Sequence, residues 1–189
     1  MSDVMTEGDR LAAVRSDLAY HQARVLLLVT AVANALGRAG KVDGLTKLAK
    51  LDFLVRYPVF APRLLGCRAA SDPRLNLSHD EKYDAESPMI RYKYGPWDDR
   101  YYSIVGGLVG RGLLSYARLR RGNVAVRPTK QGRALTRDLA TSPYWRDVYE
   151  RCELVAESVG DLSGTRLKEL IYDRLPEVVD RPHREVIRQ

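Results

Sequence analysis

The sequence predicts a mainly α-helical fold with one small β-hairpin, and three observations carry that prediction. Apolar residues recur at i, i+3, i+4 spacing in several separate stretches, the pattern of half-buried helices. Two short segments flank Arg121-Gly122-Asn123, the chemistry of a hairpin turn. Gly37, Pro58, Gly112 and Pro128 stand at the boundaries of these segments, where chain-breaking residues belong.

The composition fits. The chain has 189 residues, 45% apolar and 29% charged, ordinary for a globular protein that folds without disulfides or metals. Its two cysteines, Cys67 and Cys152, make neither a disulfide framework nor a zinc motif, so a reducing compartment and a cytoplasmic location are expected. Residues 1–10 lack the apolar stretch of a signal peptide. The longest strongly apolar run, residues 25–35, falls short of the ~20 residues that span a bilayer, so no membrane partner is expected.

Residues 1–20 read as a mobile leader. A first helix over 21–38 follows from Val25, Leu28, Val29, Val32 and Leu36, with Gly37 and Gly40 as stops. Asp43 is placed to cap a second, with Leu45, Leu48, Leu51, Leu54 and Val55 inward and Pro58 beyond its end. Residues 58–96 read as a long insertion, broken by Pro58, Pro62, Pro73, Pro88 and Pro96, with a short helix near 61–65. Tyr101, Ile104, Val105, Leu108 and Val109 then define the clearest helix, which begins at Trp97 and ends at Gly112. A hairpin over 114–120 and 124–127 follows, then a helix capped by Thr129 with Leu135 and Leu139 inward. Residues 143–179 form a C-terminal helical extension of two helices. One carries Trp145, Val148, Cys152, Val155 and Val159 on a stripe. The other follows Ser163, with Leu167, Leu170, Ile171 and Leu175 inward. The polar tail 180–189 is expected to fray.

Helix, helix, insertion, helix, hairpin, helix is the order of a winged helix-turn-helix, here over residues 21–142. That fold serves as a DNA reader and as a protein-docking module alike, so function has to come from the site.

The net charge is +7, but residues 91–137 hold eleven Lys or Arg against two acids. A basic segment in a near-neutral chain is the footprint of a nucleic-acid contact, or a solvated face whose acidic partners lie elsewhere in the fold. Within it, Arg118, Arg120, Arg121, Arg127, Lys130, Arg133 and Arg137 span twenty positions without an acid. All but the last are the candidates for double-stranded DNA backbone contacts, which position a protein without reading sequence. The third helix is a poor base reader. Its N-terminal part carries Asp98-Asp99 where Arg, Lys, Asn or Gln would be needed. Its glycines imply close backbone approach, which a partner helix would explain. Trp97, Asp98, Arg100, Tyr101, Gly107 and Arg111 are therefore the expected partner interface. The segment 91–97, continuing to Tyr101-Tyr102, alternates bases with aromatics. It suits core packing or a partner, and also stacking of unpaired bases.

Catalytic readings find little support. His21, His79 and His183 are far apart, Ser78-His79-Asp80-Glu81 gathers reactive types only by adjacency, and Gly106-Gly107 lacks the Gly-Lys-Ser/Thr of a phosphate loop. No enzymatic activity, metal or cofactor is expected.

Two segments carry a family resemblance: Gly44-Leu45-Thr46-Lys47-Leu48-Ala49-Lys50-Leu51-Asp52-Phe53-Leu54-Val55-Arg56-Tyr57-Pro58, and Tyr92-Lys93-Tyr94-Gly95-Pro96-Trp97-Asp98-Asp99-Arg100-Tyr101-Tyr102. Together they resemble the middle component of bacterial three-component ABC-ATPase (Lamassu-type) anti-phage defence systems. With the third helix and wing, the resemblance covers about residues 20–175. It implies a non-catalytic accessory subunit on an SMC/Rad50-like ATPase that senses phage or plasmid DNA and controls a nuclease-type effector. The competing reading is a winged-helix transcriptional regulator, for which the two C-terminal helices would supply a dimer interface.

Overall fold

The apolar run at 25–35 becomes the spine of the molecule. In the computed structural model, which describes residues 17–37, 40–66, 71–75, 87–118 and 124–188, it lies inside helix α1 (Leu18–Ala35). Val25 to Val29 are all fully buried, as in a helix with neighbours on every side. The Asp17 carboxylate caps the helix by accepting from the Ala19 amide at 3.0 Å. Gly37, at φ +73°, releases the chain where a side chain would be strained. The leader expected over residues 1–20 lies outside the described residues up to 16, and α1 begins at its end.

Asp43 does not cap the second helix. It belongs to strand β1 (Val42–Asp43), which pairs antiparallel with residues 125–126. Gly44, at φ +86°, takes the cap position of α2 (Leu45–Arg56) without a side-chain bond. Sheet pairing fixed the backbone of Asp43 and removed it from the helix start. Pro58 closes the ladder as expected and opens a 3₁₀ turn, Pro58–Phe60, before α3 (Ala61–Leu65).

The insertion is not irregular throughout. Strands β2 (Ile90–Tyr92) and β3 (Gly95–Trp97) form a second hairpin with Ile90 opposite Trp97, and Gly95 turns at φ +115°. Trp97 therefore ends a strand, and α4 runs over Tyr101–Gly110 only. Gly112, at φ +69°, turns the chain into β4 (Leu114–Arg118), which pairs with β5 (Val124–Pro128). The sheet order β1-β5-β4 completes a winged helix in which α1, α2 and α4 are the three core helices and β4–β5 the wing.

Thr129 caps α5 (Lys130–Thr141), accepting from the Gly132 amide at 3.0 Å and donating to the Gly112 carbonyl at 2.6 Å. Gly132 permits that junction, since a Cβ there would lie 2.0 Å from the Leu113 carbonyl oxygen.

Helix α6 (Pro143–Val159) packs along α1 and α2, and α7 (Gly164–Arg174) packs on α2. Cys152, Val155, Val159, Leu167 and Ile171 are buried in the same hydrophobic cluster as α1. The faces expected to serve dimerisation are thus spent inside the chain. These helices are part of the core, not an appendage. After α8 (Pro176–Val179) the polar tail does not fray either. Ile187 is fully buried, and backbone bonds join Arg184 and Glu185 to Arg91 and Ile187 to Met89, so the tail runs along the edge of β2. Ile187 is the buried apolar anchor of a mostly polar segment, while Val186 beside it stays exposed.

Candidate interaction site

Among the residues expected at a partner interface, Trp97, Asp98 and Tyr101 are buried, which corrects that assignment. They belong to a network that joins the two motif segments. Arg24 of α1 grips Asp52 of α2 through Nε–Oδ1 (2.8 Å) and Nη2–Oδ2 (3.0 Å), and the Tyr101 hydroxyl donates to Asp52 Oδ2 at 2.7 Å. Arg56 donates to Asp98 Oδ2 at 2.8 Å, and Arg100 clamps the same carboxylate with bonds of 3.0 and 2.7 Å. Arg100 also reaches Ser87 Oγ and His21 Nε2. Burial pushes both carboxylates towards the neutral form, but their arginine partners prevail and hold Asp52 and Asp98 below the ordinary carboxylate range. The Tyr101 phenol is pushed well up by burial and by the Asp52 charge. This cluster is structural cement between α1, α2 and the start of α4.

Gly107 has a similar explanation. A Cβ there would sit 2.2 Å from Nε2 of Gln22, so the close approach that the glycine allows is made by α1 of the same chain, not by a partner helix. Arg111 is exposed and Arg100 half-buried.

The basic strip is not one face. Strand alternation and the pairing Arg118↔Val124 and Ser115↔Arg127 put Arg118 and Arg127 on opposite faces of the wing. Arg120 and Arg121 lie outside the described residues. Arg133 is half-buried and hydrogen-bonded to Asn34. What remains together is the start of α5. Lys130 and Arg133 occupy its first turn with no acid, where the helix dipole disfavours cations, and exposed Arg127 lies three residues before it, near the end of β5.

The exposed apolar surface lies elsewhere. Tyr102 (69% exposed), Tyr116 (54%), Tyr94 and Val124 remain in solvent. The solvent face of α4 is otherwise Ser103, Gly106 and Gly110, with no Arg, Lys, Asn or Gln for bidentate reading of bases. Tyr102 stands between two depressions. One, of ≈ 470 Å³, is an apolar groove between the α2 start and the wing, walled by Leu45, Tyr116 and Val126 with Arg118 also in its lining. The other, of ≈ 220 Å³, is walled by Tyr92, Tyr94 and Trp97 and has Lys50 in its lining.

Lys50 is only 3% exposed. Its ammonium donates to the Thr46 carbonyl of its own helix at 2.9 Å, and no carboxylate among the described residues pairs with it. Burial, with a contribution from Lys168, pushes it down to about 8. Asp99 borders the pocket but is already occupied by the Trp97 indole (3.2 Å) and Arg184 (2.8 Å). Lys93 and Lys168 each lie over the Tyr94 ring, at 5.3 and 5.9 Å from its centroid. Sequence reading passed over Lys50 because an α2 lysine looks like solvated charge. Its signal was its place within an apolar stretch of α2, between Ala49 and Leu51.

Among the described residues, no three His, Cys, Asp or Glu side chains are grouped to hold a metal, and no helix is long and apolar enough to cross a membrane. No family model, curated protein or solved structure matches the chain.

Proposed function

We propose that the chain is a non-catalytic winged-helix accessory subunit that docks on a larger protein through the Tyr94–Tyr102–Tyr116 face. The observation that carries this reading is the exposure of three tyrosines and an apolar groove on the side of the third helix where a DNA reader would carry Arg, Asn or Gln. The resemblance over residues 44–58 and 92–102 supplies the partner: an SMC/Rad50-like ATPase of a three-component defence complex that acts on phage or plasmid DNA through a nuclease-type effector. DNA is held through its backbone at the start of α5, by Arg127, Lys130 and Arg133.

The test is co-expression of the tagged chain with the ATPase, comparing wild type with Tyr102→Asp and Tyr116→Asp. The tyrosine variants should fold and fail to co-purify; undiminished assembly sinks this face as the dock. The cationic α5 start equally favours the regulator reading, and DNA binding separates the two. Arg127→Glu with Lys130→Glu should weaken binding uniformly across sequences and lower the salt slope by about one per lost phosphate contact. A dimer that selects one DNA sequence would establish the regulator instead.

A further inference from the structure

We propose that the Lys50 pocket and the groove beside it form one bipartite site for an acidic–apolar peptide segment of the partner protein. A carboxylate of that segment enters the pocket and pairs with Lys50, and a neighbouring apolar side chain lies in the groove across Tyr102. This deepens the docking reading above and rests on it.

Three features converge on this ligand. Lys50 is a buried cation that satisfies one of its three donors, on a carbonyl of its own helix, and has no counter-ion among the described residues. Leaving a buried charge uncompensated is costly, and the group that relieves it must be anionic and small enough for a pocket of ≈ 220 Å³. A side-chain carboxylate meets both conditions. The rim adds to the attraction: Lys93 and Lys168 flank Tyr94, and the acid at the border, Asp99, is already engaged. The groove then decides between peptide and nucleic acid. Its walls are Leu45, Tyr116 and Val126, and among the described residues Arg118 is the one cation lining it, so these residues offer no track for successive phosphates. Tyr102 borders both depressions, so one extended segment can occupy them together.

The measurement is binding of short acetylated, amidated peptides to the full chain, followed by the ¹³Cε resonance of Lys50. Each peptide carries one Asp or Glu and one Leu or Phe a few residues apart. Controls are the same peptides with Asn or Gln for the acid, and an oligo-dT. Acidic peptides should bind about ten-fold tighter than their amide counterparts or better. Lys50→Met and Lys50→Gln should each erase that preference, whereas Tyr102→Ala should weaken acidic and amide peptides alike. Binding should also fall as pH rises past 8, where Lys50 discharges. The other groups facing the pocket are Asp99 and Tyr92, Tyr94 and Tyr102, with Lys93 and Lys168 beside Tyr94, and the Lys50 variants isolate the Lys50 contribution from theirs. Equal affinity for acid and amide overturns the inference, as does oligo-dT moving the Lys50 signal where peptides do not. So does a lack of binding by every peptide at millimolar concentration. Intact co-purification of Lys50→Met with the ATPase overturns the pocket while leaving the dock standing. Failure of wild type to co-purify sinks the dock, and the peptide series still decides the pocket.

Discussion

Helix α2 carries buried charge on two sides, and the two sides are treated oppositely. Asp52 and Lys50 are two residues apart, about 200° around the helix axis. On the Asp52 side every charge meets its opposite: Arg24, Arg56, Asp98 and Arg100 interlock over two carboxylates, with Tyr101 filling a remaining acceptor. On the Lys50 side a cation is nearly as buried but lines a pocket, and among the described residues only a backbone carbonyl answers it. The first arrangement holds helices together. The second leaves a charge unpaired where aromatic rings and solvent meet. Where a fold tolerates such a cost, a ligand that relieves it is the physical reason to look for.

The largest effect should come from cutting the paired side. Asp52→Ala removes the carboxylate that Arg24 grips and leaves two guanidinium groups, Arg24 and Arg56, close together in the core, and we expect a loss of about 3–5 kcal/mol in urea denaturation. A loss below 1 kcal/mol would mean that water reaches the cluster and would break the contrast. Lys50→Met should do the reverse. Removing an uncompensated buried cation while keeping the chain's length should stabilise the fold by about 1–3 kcal/mol in the same assay. Destabilisation would show that Lys50 serves the fold after all.

The pH dependence sharpens the comparison. Asp52 and Asp98 titrate lower in the folded state than in the unfolded one, so their contribution is complete above about pH 5 and is lost as pH falls below about 4. Lys50 is also depressed, from 10.5 to about 8. For a base this means that the unfolded chain holds the extra proton between those values, so stability should rise with pH across that window. The buried tyrosines Tyr57 and Tyr101, whose phenols are pushed up, act in the opposite sense near the top of the window. The Lys50 part is therefore the difference between wild type and Lys50→Met, measured from pH 7 to 11. A flat difference would refute the shift. The smallest effect belongs to an exposed pair. Arg166 and Glu169 lie 2.9 Å apart in solvent, and Glu169→Gln should leave the denaturation midpoint where it is, since screening by water and salt leaves little to lose.

Much of the architecture was legible in residue order. The stripes on α4, α6 and α7, the Thr129 cap, the helix start after Ser163, the stop at Pro58 and the wing hairpin all follow from local chemistry, and each lies where that chemistry put it. What local reading missed was non-local. Asp43 reads as a cap until β5, more than eighty residues on, claims its backbone. The hairpin β2–β3 has neither strand length nor alternation to announce it, and is held by packing on α2. The tail reads as polar and free until Ile187 finds its slot beside Met89.

The site divides the same way. Sequence alone singled out the two segments 44–58 and 92–102, and read the third helix as a poor base reader because Asp98-Asp99 stand in its N-terminal part. A pattern records which residue types stand together along the chain, but not which of them lose contact with water. Only the folded chain decided that Asp98 and Tyr101 are interior, that Gly107 makes room for Gln22, and that Lys50 has no anion beside it among the described residues. Burial sets the cost of a charge and pairing offsets it, and both depend on neighbours from distant parts of the sequence.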